Sequence, residues 1–365
     1  MAITYSYRPY RPGDEAAINE LYFKVTGRRR TRKQFVWQWR NAPEGPGDIW
    51  LIEATHPDGN VELIGHHGIM PVAFSNKAVD LRFGKTENTM VLPHYRKKIL
   101  YPRFEKKFQK EYVGKYDALF STMGPPTAIR QRKAMGYDFP VEWLTSRYTY
   151  SFISEVSFAW SLLVDKFQPN RDFAVPFGKQ CATYVTLLNN GLLSDQDALS
   201  SSFFDAFWEG ARLNFNLAPS RRKQDLAWRF WTNPYKDHLT LVVNEKDICG
   251  YCIISIKPSH HRGAFLEDFC VRSNSAHEAE MLFTRLLRLL KKSGVYSLQV
   301  TRTTDSCLSS YGFMNKKKMY LSRYMESLRK QNTKLMPRKI TEKGIQASLE
   351  KHGWDITGIV LEGRL

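Results

Sequence analysis

Apolar side chains recur along this chain at two different periods, and the switches between them lay out the elements. A short extended run, YSYRPY, gives way after a Pro-Gly turn to Ile18, Leu21, Tyr22 and Val25, spaced for one face of a helix that starts near Asp14. A second helix is expected from Thr31, with Phe35, Val36 and Trp39 on one side and its end before Pro43. Two apolar runs, IWLIEAT and VELIGHHGIMPVAF, flank His-Pro-Asp-Gly-Asn, and Asp-Gly readily takes the positive backbone angles that a hairpin needs. A third strand, ENTMVL, leads into Leu100, Phe104, Phe108 and Tyr112, whose four-residue spacing predicts an amphipathic helix with Lys106, Lys107 and Lys110 on its wet side. Strand YDALFSTM, helix TAIRQRKAMG and a closing strand pair around YDFPVEWLTSRYTYSF complete a mixed α/β unit over residues 1–156.

Residues 157–220 read as a helical bridge with an aromatic cluster of Phe203, Phe204, Phe207 and Trp208. From 221 to 365 the outline of the first half returns. Trp37 and Trp228 each stand six residues before a proline, in WQWRNAP and WRFWTNP, and each is followed by a hairpin. Strand GAFLEDFCV then precedes helix HEAEMLFTRLLRLLKKSG, whose start at Ser275 and Glu278 fits a capping box and whose end carries Lys291 and Lys292 where the helix dipole favours cations. Two copies of one fold account for this order. The tryptophans at 37, 39, 228 and 231 read as core packing.

The length, 365 residues, agrees with two domains of about 100–200 residues each. With 54 Lys and Arg against 36 Asp and Glu the net charge is +18, so an anionic partner is expected: a phosphate-bearing small molecule, nucleic acid, acidic glycan or membrane surface. No run approaches the roughly 18 apolar residues of a membrane span, and MAITYSYRPYRPGDE lacks the apolar core of a secretion signal, so a cytoplasmic location is expected. Five scattered cysteines argue for reduced thiols. Cys249 and Cys252 lie three apart in a strand pattern, on opposite faces, and the pairs His66-His67 and His260-His261 lack a second cluster at zinc spacing, so no metal site is expected.

The segment Val91-Leu-Pro-His-Tyr95-Arg96-Lys-Lys-Ile-Leu-Tyr101, followed by Ala134-Met-Gly136-Tyr137, resembles the strand, turn and helix markers of the GNAT superfamily of acyl-CoA-dependent N-acyltransferases; Ser310-Tyr311-Gly312-Phe313 is similar to the second marker in the second half. The resemblance implies two GNAT-like domains in tandem, of mixed α/β (α+β mixed-sheet) class, and an acyl-CoA, acetyl-CoA or another, as substrate. It places the coenzyme on Met90, Val91, Leu92, Arg96, Lys97, Lys98, Ile99, Leu100 and Tyr101. The physical ground is general: a strand running into a helix points unpaired N–H groups and a positive dipole end at whatever lies beyond the turn, and an anion belongs there. Lys97 and Ile99 stand where the family has glycines. The family's acid, a tyrosine four residues before the second marker's glycine, is replaced by Arg132 in the first copy and by Leu308 in the second.

The resemblance also implies a base, and Glu87, on the strand leading to the anion turn, is the candidate; Glu267 and Asp268 occupy a comparable place in the second half. The basic run Gly27–Lys33 lies between the two opening helices, and Arg29 and Arg30 are its candidates for holding an anionic acceptor. Two functions are therefore open: acyl transfer from a coenzyme A thioester to a primary amine, or non-catalytic binding of a polyanion such as nucleic acid or acidic polysaccharide.

Overall fold

A computed structural model describes residues 2–77, 79–98, 100–112, 114–121, 126–137, 141–149, 182–256, 263–273, 275–295, 297–303 and 334–339. Two compact units are distinguished. The first runs from the amino terminus through Phe74, resumes at Asp80 and takes in residues 334–339; the second holds 75–79, 141–149 and the described residues from 182 to 303.

In the first unit β1 (Thr4–Pro9) leads to α1 (Glu15–Thr26) and α2 (Arg32–Arg40). Thr31 begins α2 as its side chain accepts from the Gln34 N–H while the Gln34 side chain returns to the Thr31 N–H, a complete capping box. β2 (Asp48–Thr55) and β3 (Val61–Asn76) form the expected hairpin, with Gly59 at φ 86 in its turn, and β4 (Val79–Val91) follows. A tight 3₁₀ turn, Pro93–Lys98, precedes α3 (Leu100–Tyr112); β5 (Ala118–Ser121) and α4 (Pro126–Ala134) come next. The sheet runs β1-β2-β3-β4-β5, antiparallel through the first hairpin and parallel between β4 and β5, and is closed by an antiparallel strand from near the far end of the chain, residues 334–339.

The core of this unit sits between sheet and α3. Leu100, Phe104, Phe108 and Tyr112 are all buried, as their spacing predicts, and pack with Trp50, Ile52, Ile69 and Leu119. On the other side Trp39 lies so close to Gly68 that a Cβ there would meet its ring at 2.1 Å, which is why a glycine occupies the middle of a buried strand.

The second unit opens with β6 (Val141–Thr149), then α5 (Ala182–Asn189), α6 (Asp195–Ser200), α7 (Phe203–Ala211), the two-residue β7 (Ala218–Pro219) and α8 (Lys223–Leu226), which continues into a π-helical turn, Ala227–Trp231. β8 (His238–Glu245), β9 (Ile248–Ile256), β10 (Gly263–Val271), α9 (Ala276–Lys292) and β11 (Ser297–Thr303) follow. The strand near the far end of the chain is thus β12 (Lys334–Lys339). The second sheet runs β8-β9-β10-β11-β6, with β10 and β11 parallel and the other pairs antiparallel. Each unit therefore repeats one plan, an antiparallel hairpin followed by a strand–helix–strand crossover, and each crossover strand is flanked by a strand distant in sequence. Residues 141–149, read from sequence as part of a closing strand pair of the first half, form one strand, and it pairs with β11.

Trp37, Trp39, Trp228 and Trp231 are all buried, and Cys249, Cys252 and Cys270 are buried free thiols. Ser275 accepts from the Glu278 N–H, but the Glu278 carboxylate does not complete the capping box: it accepts from the Cys249 N–H at 2.6 Å and the Ser273 N–H at 3.1 Å, fastening the start of β9 to the helix. Among the described residues no helix is long and apolar enough to cross a membrane, and no three His, Cys, Asp or Glu side chains gather as a metal site.

Candidate functional site

Two parallel strands with a helix between them concentrate chemistry at their carboxyl ends, where helix amides and strand ends face the same space. Here the β4–β5 ladder among the described residues is short, Phe83 to Lys85 against Ala118 to Phe120, while β4 continues to Val91. Within that extension Asn88 adopts φ 49, a left-handed conformation that asparagine tolerates better than most residues. The kink is held from behind: His66 Nδ1 donates to the Asn88 carbonyl at 2.8 Å. The Asn88 side-chain nitrogen is buried without a hydrogen-bond partner among the described residues.

The candidate base Glu87 precedes the kink. Its carboxylate, only slightly exposed, meets the fully buried Lys85 ammonium at 2.9 Å. Met90 and Leu92 turn into the interior, Val91 is half-buried, and the Leu92 N–H is spent on the Ile64 carbonyl at 2.9 Å. The 3₁₀ turn then presents Arg96, Lys97 and Lys98 to solvent in one cationic group. Arg96 folds back so that Nε donates to the Val91 carbonyl at 3.0 Å, which fixes the guanidinium over the strand end. Leu100 and Tyr101 are buried in the core rather than on the turn's outer face. Ile99 lies outside the described residues, as do Leu308, the marker at 310–313 and His260-His261.

The two arginines of the opening basic run separate. Arg29 is exposed, with its guanidinium over the Phe23 ring at 4.2 Å. Arg30 is buried: it donates to Asn19 at 2.7 Å and Gln38 at 2.9 Å and lies over the Tyr22 and Phe35 rings. It ties α1 to α2. In the second unit Asp268 is likewise committed to the interior, paired with Arg221 at 3.1 Å and accepting from the Tyr251 hydroxyl at 2.6 Å; Lys236 holds Glu267 at 3.2 Å.

A polar group that the sequence reading did not single out lies directly behind the kink. Arg132, the residue at the position of the missing tyrosine, is buried and donates from Nη2 to the Thr89 hydroxyl at 3.0 Å and from Nη1 to the Tyr137 hydroxyl at 3.3 Å. His67 Nδ1 lies 2.9 Å from the same Thr89 oxygen, and its Nε2 lies 3.3 Å from Glu105 Oε2, which also accepts from the Tyr101 hydroxyl at 2.8 Å. His67 and Glu105 are fully buried, whereas Thr89 is exposed. Burial pushes the His67 pKa down to about 4 and that of His66 to about 3, so both rings are neutral at neutral pH. One signal was available beforehand: Glu105 is four residues after Tyr101 and three before Phe108, which puts a carboxylate on the apolar face of α3.

No family model matches this sequence, and no curated protein does. Solved structures match along nearly the whole chain. A conserved protein from Enterococcus faecalis V583, designated "Probable N-Acyltransferase", superimposes with a TM-score of 0.58 at 13% identity, covering 96% of this chain and 75% of that one. A GCN5-related N-acetyltransferase from Kribbella flavida gives 0.54 at 8% identity, with 93% and 73% covered, and another from Anabaena variabilis gives 0.53 at 11%, with 96% and 75% covered. The fold is of the GNAT type, a mixed α/β architecture with two tandem units. Identities this low define the fold and leave the chemistry to the site.

Proposed function

We propose that this chain transfers an acyl group from a coenzyme A thioester to an amine, with the thioester beside the kinked end of β4 and the diphosphate on the 3₁₀ turn. The observation that carries this reading is the junction itself: a strand that kinks at Asn88 and ends in the exposed Arg96, Lys97 and Lys98. A guanidinium anchored through Nε keeps its terminal N–H groups in a fork that suits phosphate oxygens, and the lysines add charge without fixed geometry. The names of the neighbours, N-acetyltransferases, support the same reaction class.

An amine is protonated at neutral pH and must lose a proton before it attacks. Glu87 is the group we assign to take it, since its carboxylate lies next to the kink and Lys85 holds it in place. Charge on Arg132, behind the same segment, favours the departing thiolate. Exposed Arg29 remains the candidate contact for an anionic acceptor.

The experiment is release of free thiol from acetyl-CoA, followed with a chromogenic disulfide, in the presence of amino sugars, polyamines and peptide amines. Acceptor-dependent release supports the assignment. Failure of every amine together with salt-sensitive retention of RNA would assign the basic surface to polyanion binding instead.

A further inference from the structure

The hydrogen-bond directions around Thr89 resolve from donor and acceptor chemistry. A guanidinium can only donate, so the Thr89 oxygen accepts from Arg132 Nη2, while its contact with His67 Nδ1 takes its direction from the tautomer of the ring. The Glu105 carboxylate beside Nε2 can only accept, so a neutral ring holds its proton on Nε2 and accepts the Thr89 hydroxyl proton at Nδ1. The three groups thus form an ordered series of exposed hydroxyl, buried imidazole and buried carboxylate, with distances of 2.9 and 3.3 Å along it. The second contact is electrostatic, the N–H side of a neutral ring against a carboxylate, without an aligned hydrogen bond.

Each part has a reason to be where it is. Glu105 has no role in solubility, being fully buried, and a buried carboxylate beside an imidazole stabilises the imidazolium form when a proton arrives. The Tyr101 hydroxyl holds the same carboxylate oxygen and so orients it. Arg132 places a positive charge 3.0 Å from the hydroxyl oxygen, where negative charge would develop if the proton left. Thr89 alone among the four is exposed, and it follows directly on the Asn88 kink.

We infer that Thr89 is a nucleophile, activated by His67 and Glu105, that accepts an acyl group from an activated acyl donor and holds it as an ester. The natural donor, an acyl thioester, rests on the function proposed above; the nucleophile itself does not. In the first step the Thr89 Oγ1–acyl bond forms and the acyl carbon–sulfur bond breaks. The hydroxyl proton passes to His67 Nδ1 and from there to the departing thiolate, which supplies the acid that the position of Arg132 cannot. In the second step an amine, freed of its first proton by Glu87, attacks the ester. The amide bond forms, the Oγ1–acyl bond breaks, and the amine's second proton returns through His67 to Thr89.

The test is intact-protein mass measurement followed by peptide mapping. The full chain is incubated, without acceptor, with acetyl-CoA and separately with p-nitrophenyl acetate. One acetyl group on Thr89 is expected from both donors. Thr89→Ser should retain it on the new hydroxyl, Thr89→Val should lose it, and His67→Gln should form it about 10²- to 10⁴-fold more slowly. Circular dichroism checks that each variant folds. Acetylation of Thr89 by the ester but not by acetyl-CoA would keep the nucleophile and refute the thioester reading. If coenzyme A binds yet neither donor acetylates Thr89, or only lysines are modified, the nucleophile is refuted and the transferase reading stands without it.

Discussion

Arg29 and Arg30 are neighbours in one basic run, yet burial gives them different tasks. Arg30 supplies bonds that Asn19 and Gln38 would lose inside the protein, so Arg30→Ala should cost about 1–3 kcal/mol of stability, read from urea unfolding. Arg29→Ala should leave stability unchanged and affect only the acceptor KM. Equal and small stability losses in both would contradict this division. Glu87 gives the second prediction at this scale. Its carboxylate is held by Lys85, so Glu87→Gln should preserve the fold and lower kcat about 10²-fold or more, with loss of the acid limb of the pH–rate profile. An unchanged profile would remove Glu87 as the base.

At the scale of elements, close packing at one strand shows how narrowly the first sheet is specified. Gly68 faces the Trp39 ring, so Gly68→Ala should destabilise by about 1–3 kcal/mol, with a fall in Tm as the measure; a Tm equal to that of the parent would refute the packing. Most elements were legible because their signals are local. The helix start at Thr31, the Asp-Gly turn and the four-residue stripe of α3 each act within a few residues. What was not legible depends on partners far apart in sequence. Nothing near residues 141–149 or 334–339 says which strand each will join, because pairing is decided by an exposed strand edge elsewhere in the chain. The Glu278 cap failed for a similar reason: its carboxylate found the Cys249 N–H, 29 residues away. The site divides in the same way. The strand, the turn and Arg96 could be read from their order, while the Thr89, His67, Glu105 and Arg132 group could not, since it draws on β3, β4, α3 and α4. Between β4 and α3 the 3₁₀ turn Pro93–Lys98 leaves its three cations exposed, while Leu100, on the apolar stripe, and Tyr101 beside it are buried and so lie off the coenzyme face that the resemblance implied for them.

For the molecule as a whole, three buried neutral imidazoles among the described residues link folding to pH. Burial lowers the pKa of His66 to about 3 and of His67 and His238 to about 4, below the usual 6.5. Between those values the unfolded chain binds more protons than the folded one, so stability is intact above pH 6.5 and falls as pH drops toward 4. Thermal midpoints should therefore decline between pH 6.5 and 5, above the range of ordinary carboxylates, and a flat midpoint down to pH 4.5 would contradict the burial. The surplus of +18 adds a second global property, attraction for anions that weakens with salt. The proposed focus of that attraction is the turn at Pro93–Lys98, and calorimetric titration of coenzyme A into the full chain tests it most directly. Saturable binding at one site, weakened about ten- to a hundredfold in Arg96→Ala, is the expected result. No heat at millimolar coenzyme A, or the same affinity in both proteins, would contradict it.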